Sequence, residues 1–93
     1  MKITGLKKAV EDYRRLNAGG PYDPTYGILM FDTSDGRLWT DEFYSLGHNS
    51  YKEYESKTIV NLSRMMLDEM MFVGEYEINM KTVKNFIEKE FEN

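Results

Sequence analysis

The sequence predicts a small α+β domain: an N-terminal helix, an antiparallel β-hairpin, and two C-terminal helices that pack against the hairpin. Apolar residues recur at helical spacing near both ends of the chain, whereas two apolar runs in the middle flank a short polar turn. The length of 93 residues is enough for one modest hydrophobic core. We therefore expect one domain over residues 1–93.

The first helix is predicted over residues 5–18. Leu6, Val10 and Tyr13 share one helical face and give the segment an apolar stripe. Thr4 comes just before this stripe and is of a residue type that caps helix N-termini. Two glycines and a proline at 19–21 are a strong stop signal, so the helix should end before them.

A β-hairpin is predicted in the middle of the chain, where the polar turn TSDG separates the runs YGILMFD and RLWTDEFY. A three-residue loop with Gly36 in the left-handed conformation would place Phe31 opposite Trp39. A two-residue Asp-Gly turn would instead place Asp32 opposite Trp39, which is a poorer cross-strand pair. We therefore expect the three-residue loop.

A second, methionine-rich helix should follow, with Ser56 or Thr58 as its N-cap and Gly74 at its end. Its apolar positions recur at steps of three and four residues, namely Ile59, Leu62, Met66, Met70 and Val73. Because its apolar face is broad, we expect this helix to be the most buried element.

Asn79 is the predicted N-cap of the last helix, with Thr82 as its capping-box partner. The apolar face of this helix comprises Met80, Val83, Phe86, Ile87 and Phe91. Between the two C-terminal helices, residues 76–78 could add a third short strand to the hairpin.

Composition and charge restrict the classes of function. The chain has no cysteine, which excludes disulfides and thiol nucleophiles, and no cofactor-binding motif is present. The net charge is −4, and residues 22–56 carry seven acidic but only two basic side chains, so duplex nucleic acid is an unfavourable partner. No secretory signal or membrane-spanning run is visible, so we expect a cytoplasmic protein without a membrane partner.

The segment WTDEFYSLGHNSYKEY, residues 39–54, is the strongest candidate for function. It contains five aromatic residues, including the single Trp, together with several acids and the single His. Tyrosines in a polar, acidic surround are typical of protein-binding surfaces. The candidate partner-binding residues are Asp41, Glu42, Tyr44, Tyr51, Glu53 and Tyr54.

Other residues of this segment are better explained by structure. Trp39 and Phe43 alternate along one strand face and are expected in the core. His48 lies between Gly47 and Asn49, and residues of these types tolerate unusual backbone angles and bond locally, so we interpret His48 as a turn residue.

Two alternative functions stay open. A small metal-assisted or acid–base enzyme could use Asp41, Glu42 and His48, although no catalytic or metal-binding motif is complete. A binder of single-stranded nucleic acid or nucleotides could use the aromatic side chains, although only Arg37 and Lys52 supply positive charge among them.

The order of motifs Y-D-P-x-Y, W-x-D-x-F-Y and L-G-H-N-S, across residues 22–54, resembles small uncharacterised accessory proteins carried by phages and integrative mobile elements. That group has no established activity, and the resemblance supplies a context in which small acidic proteins often bind and block a host protein, such as a CRISPR effector or another component of antiviral defence. Together with the acidic, aromatic-rich middle and the lack of a complete catalytic motif, it leads us to expect a non-enzymatic protein-binding function. Homodimerisation stays open beside this host partner.

Overall fold

The structure is a computed structural model that describes residues 2–20, 22–44, 56–74 and 77–91. Along the chain lie helix α1 (Leu6–Leu16), strands β1 (Thr25–Asp32), β2 (Leu38–Tyr44) and β3 (Ile59–Asn61), and helices α2 (Leu62–Val73) and α3 (Met80–Phe91). The strands form an antiparallel sheet in the order β2-β1-β3. The predicted α+β arrangement of one helix, a hairpin and two further helices is confirmed.

The third strand lies at a different place from the one predicted. It is formed by Ile59–Asn61, whose residues Val60 and Asn61 pair with Phe31 and Met30 of β1. Glu77 and Ile78, which were expected in this strand, belong to no strand, and Tyr76 lies outside the described residues. Short β-branched runs such as Ile59-Val60 suit a strand as well as a helix start, so periodicity alone did not separate the two.

Strand β1 is the most buried element, in place of the expected α2. Residues 27–31 are buried in succession, as is usual for a central strand that is covered on both faces. Leu29 and Phe31 pack with all three helices in the main core, whereas Ile28 and Met30 belong to a smaller cluster on the other face. The last turn of α2 is exposed instead, and Val73 is 57% accessible.

The hairpin has a four-residue loop in place of the expected three-residue loop. Its register also differs from that of the alternative two-residue turn. Met30 lies opposite Trp39, and Phe31 lies opposite Leu38. Gly36 has the predicted left-handed conformation, with φ of 78°. Because side chains alternate along a strand, this shift moves Trp39 from the Phe31 face to the Met30 face.

The loop is stabilised by hydrogen bonds that sequence spacing does not report. The Asp32 carboxylate accepts from the backbone N–H and the hydroxyl of Ser34, at 2.9 and 2.6 Å. The backbone N–H of Thr33 donates to the carbonyl of Thr58 at 2.8 Å, just before β3. Thr33 is therefore bonded towards β3, which leaves Asp32 as the last residue that pairs with β2.

Side chains complete the edge of β1 where β3 does not reach. The Asn17 amide accepts from the Gly27 N–H at 3.3 Å and donates to the Gly27 carbonyl at 3.2 Å. The Leu29 N–H donates to the Ser63 hydroxyl at 3.3 Å, and that hydroxyl donates to Asn61 at 2.8 Å. These contacts satisfy buried backbone groups that would otherwise be costly.

The helix termini confirm some capping predictions and correct others. Asn79 and Thr82 form the predicted capping box. The Thr82 N–H donates to the Asn79 side-chain oxygen at 3.0 Å, and the Asn79 N–H donates to the Thr82 hydroxyl at 2.9 Å. Helix α2 is capped by Asn61, which accepts from the Arg64 N–H, rather than by Ser56 or Thr58. Gly74 ends α2 as predicted, with φ of 80°.

Thr4 is likewise not the cap of α1. It forms an isolated parallel bridge with Arg37, and Gly5 precedes the helix in the left-handed conformation. The prediction failed because α1 begins at Leu6, so Gly5 occupies the N-cap position and Thr4 lies one residue before it, where its backbone bonds to Gly36 and Leu38.

Asn17→Ala should lower the free energy of unfolding by about 1–3 kcal/mol, because it leaves the buried Gly27 backbone groups without their partner. Urea denaturation of both proteins measures the difference. Asn85→Ala, at an exposed position of α3, is the matched control and should change stability little. Equal effects of the two substitutions would contradict a structural role for Asn17.

The hydrogen bonds from Ser34 lower the pKa of Asp32 below its ordinary value of 3.8. The resulting stabilisation is therefore complete above that value and is lost as the pH falls through the lower, folded-state pKa. NMR titration of the Asp32 carboxyl carbon should give a midpoint below 3.8. Ser34→Ala removes the hydroxyl but keeps the backbone N–H, so it should move the midpoint upwards in part. An unchanged midpoint in this variant would rule out the Ser34 hydroxyl as a cause.

Candidate functional site

The candidate residues that the structure describes lie on β2, an outer strand of the sheet. One edge of β2 pairs with β1, and the start of its other edge pairs with the N-terminal segment. There Thr4 donates to the Gly36 carbonyl and accepts from the Leu38 N–H, both at 2.9 Å. Gly5 then turns the chain away into α1, so this pairing ends at Thr4.

Alternation along β2 divides its side chains between the two faces of the sheet. Trp39, Asp41 and Phe43 lie on the face of the smaller cluster, opposite Met30, Ile28 and Tyr26 respectively. Phe43 is buried, as predicted, and its ring stacks on that of Tyr26 with 6.0 Å between centroids. Trp39 packs against the same cluster but is only partly buried.

The Trp39 ring is fixed from two sides. Its indole Nε1–H donates to the Asp41 carboxylate at 2.9 Å, between residues that are neighbours on one strand face. The Arg37 guanidinium lies 4.2 Å from the ring centroid, in a cation–π contact. The ring thus bridges a cation and an anion, and it holds the Asp41 carboxylate in a defined position.

Glu42 and Tyr44 are the exposed candidates on this strand. Glu42 is exposed on the face opposite Asp41, and 48% of Tyr44 is accessible. The other candidates, Tyr51, Glu53 and Tyr54, lie outside the described residues, as does His48. The structure therefore brings together Asp41, Glu42 and Tyr44 along one strand, with the two carboxylates on different faces.

This arrangement bears on the enzymatic alternative. Adjacent residues of a strand direct their side chains to opposite faces, so Asp41 and Glu42 do not converge on one reacting group or one metal ion. Within the described ranges, no three His, Cys, Asp or Glu side chains are grouped so that they could bind a metal.

A narrow cleft of about 160 Å³ runs between α1 and β2, beside the outer edge of the strand. Lys8 and Asp12, one helical turn apart on α1, form an ion pair of 2.8 Å at this cleft. The hydrogen bond from Lys8 lowers the pKa of Asp12. Sequence reasoning did not connect these residues with β2, because only the packing of α1 on the sheet places them there.

A second surface feature is the apolar end of α2. Phe72 is 91% accessible and Met71 is 66% accessible. Val73, which is also exposed, lines a groove of about 200 Å³ between α2 and α3. An ion pair of 2.6 Å between Lys89 and Glu69 joins the two helices at this groove. The sequence indicated a broad apolar face here but assigned it to the core.

None of the protein-family models, curated proteins or solved structures compared with the chain matches it. Among the helices in the described part of the chain, none is both long enough and apolar enough to cross a membrane.

Asp41→Ala should shift the Trp39 indole N–H resonance upfield, because the hydrogen bond to the carboxylate is lost. With a single Trp in the chain, the indole region of a ¹H–¹⁵N spectrum contains one signal to follow. The free energy of unfolding should fall by about 1 kcal/mol. Glu42→Ala, one residue away on the other face, serves as the control and should leave the signal in place.

Proposed function

We propose that this protein is a non-enzymatic, protein-binding accessory protein of a mobile element, and that it inhibits a host factor such as a CRISPR effector or another antiviral defence component. The observation that carries the proposal is the outer strand β2, which presents Glu42 and Tyr44 to solvent beside a fixed Asp41. The mobile-element context rests on the motifs at residues 22–54.

The physical support for binding is the combination of exposed and ordered groups. Tyrosine contributes a large, rigid contact area with a polar end, and it is enriched in the energetically important centres of interfaces. Asp41 is already positioned by the Trp39 indole, so less side-chain ordering remains to be done when a partner binds. Carboxylates at such a surface favour a partner with complementary positive charge.

The same geometry favours binding over the two alternatives. An enzyme using both Asp41 and Glu42 would need carboxylates that face one another, and these face apart. A single-stranded nucleic acid would bring phosphates close to the same two carboxylates, which repel them. A basic protein surface meets neither difficulty.

Capture experiments with matched variants test the proposal. The immobilised protein is exposed to lysate from bacteria that carry CRISPR systems, and bound proteins are quantified by mass spectrometry. The double variant Glu42→Lys, Tyr44→Ala should retain its specific partner about thirtyfold less, because an interface anchor contributes about 2 kcal/mol. The control carries the same changes at exposed positions elsewhere, Glu11→Lys and Tyr22→Ala, and should capture the partner normally.

Two results would count against the proposal. Capture of the same proteins in the same amounts by both double variants would remove β2 from the binding surface. If a captured defence protein keeps its full activity at saturating concentrations of the wild-type chain, the protein is not its inhibitor. Circular dichroism of each variant confirms that the comparison is made between folded proteins.

A further inference from the structure

We infer that β2 binds its partner by strand addition: an extended segment of net positive charge pairs with the backbone of the outer β2 edge, beyond Thr4. This inference rests on the proposed function, because it specifies how the same surface recognises a protein. It is carried by the direction of the backbone groups, by the way in which the chain already uses this edge, and by the charges beside it.

The backbone N–H and C=O groups of alternate β2 residues point away from β1. Asp32 donates its N–H to the carbonyl of Arg37 at 2.8 Å, which marks these two residues as a hydrogen-bonded pair of the β1–β2 ladder. Hydrogen-bonded pairs alternate with non-hydrogen-bonded pairs along an antiparallel ladder. Counting from Arg37, residues 38, 40 and 42 fall in non-hydrogen-bonded pairs, so their backbone groups point away from β1. The Leu38 N–H accordingly bonds outwards, to Thr4. Within the described residues, no backbone partner is present at the outer edge for Thr40 or Glu42.

The N-terminal segment already pairs one residue, Thr4, with the start of this edge. Thr4 pairs with the beginning of β2 in parallel orientation, through two backbone hydrogen bonds. The pairing ends because Gly5 adopts the left-handed conformation, close enough to β2 that a Cβ atom there would lie 2.5 Å from the Leu38 carbonyl oxygen. The outward backbone groups that bond to Thr4 at Gly36 and Leu38 continue in the same alternation at Thr40 and Glu42, where an incoming segment can pair.

A cleft between α1 and β2 provides space for side chains beside the outer β2 edge. The cleft between α1 and β2 has a volume of about 160 Å³ and is lined by Ala9, Leu38 and Thr40 among others. Side chains of an added strand alternate between the two faces, so every second side chain points towards this cleft. Strand addition gains affinity from main-chain hydrogen bonds and specificity from such spaces for alternate side chains.

The acidic side chains at the outer β2 edge favour a basic segment of another protein over a second copy of this chain. Asp41 and Glu42 place one carboxylate on each face of the outer β2 edge, whereas Lys8 is already paired with Asp12. Basic side chains on either face of an added strand can therefore reach a carboxylate. A second copy of this chain, paired through the same edge, would bring these acids opposite one another, which destabilises strand pairing. The occupant that fits is a basic extended segment of another protein.

The test uses defined peptides and the full chain. One heptapeptide alternates valine with lysine, and a second alternates valine with glutamate. The third keeps the lysines of the first and has proline in place of each valine. Amide hydrogen exchange of the Thr40 and Glu42 N–H groups is followed by NMR. The lysine peptide should slow exchange at both amides at least about tenfold, whereas the glutamate and proline peptides should not.

Glu42→Pro supplies a matched variant. Proline removes the outward N–H of residue 42 and leaves the ladder to β1 intact, as proline does on edge strands. Glu42→Ala is the matched control, because it removes the same carboxylate but keeps the outward N–H. Glu42→Pro should bind the lysine peptide about tenfold more weakly than Glu42→Ala, while circular dichroism and the thermal midpoint of both variants stay close to wild type. Asp41→Pro, which removes an inward N–H of the ladder, should instead destabilise the fold. If Glu42→Pro does not fold, the exchange data on the wild-type chain decide the question alone.

The outcomes separate this inference from the proposed function. Equal protection by the lysine and glutamate peptides, or protection confined to other amides, overturns strand addition by a basic segment. A concentration-dependent dimer that Glu42→Pro abolishes overturns it in favour of a second copy. If host capture is lost in Glu42→Lys, Tyr44→Ala but is the same in Glu42→Pro and Glu42→Ala, the proposed function holds and strand addition fails. If the lysine peptide pairs with the edge but no host protein is captured, strand addition holds and the proposed function fails.

Discussion

The central strand β1 imposes the constraint on which the rest of this structure depends. It is buried on both faces, so the backbone groups at both of its edges need hydrogen-bond partners within the protein. On one edge the long strand β2 supplies them. On the other edge β3 covers only residues 30–32, and the Asn17 and Ser63 side chains complete the row. The end of α1 and the start of α2 are thereby fixed against the same strand.

The loop of the hairpin shows how this constraint reaches local structure. A three-residue turn would suit the sequence TSDG taken alone, but Thr33 bonds to the Thr58 carbonyl on the β3 side. Asp32 then closes the hairpin, stabilised by Ser34, and the register moves by one residue. Trp39 and Phe43 consequently cover the face of β1 that lies away from the helices.

The candidate binding surface follows from the same architecture. Because β1 is the central strand, β2 is left with one edge that its neighbour in the sheet does not use. The N-terminal segment pairs with the first part of that edge, and Gly5 then directs the chain into α1. Natural proteins protect exposed edges with charged side chains, and Glu42 can serve that purpose in the free protein. The same charge would select for a basic strand, so protection and recognition are compatible at this edge.

The sequence by itself determined the elements whose signals are local. Helical periodicity located α1 and α3, and the Asn79–Thr82 capping box was readable from spacing. Gly36 was correctly predicted in the left-handed conformation, and Gly74 was correctly predicted at the end of α2. It also predicted Asp41, Glu42 and Tyr44 of β2 as partner-binding candidates, which stays a prediction, and it could not show that Asp41 and Glu42 face apart. Only the tertiary structure decided the hairpin register, the position of β3 and the role of Thr4, because each depends on a backbone hydrogen bond between segments far apart in the chain. Such bonds leave no periodic trace in the sequence, since any residue except proline can donate a backbone N–H.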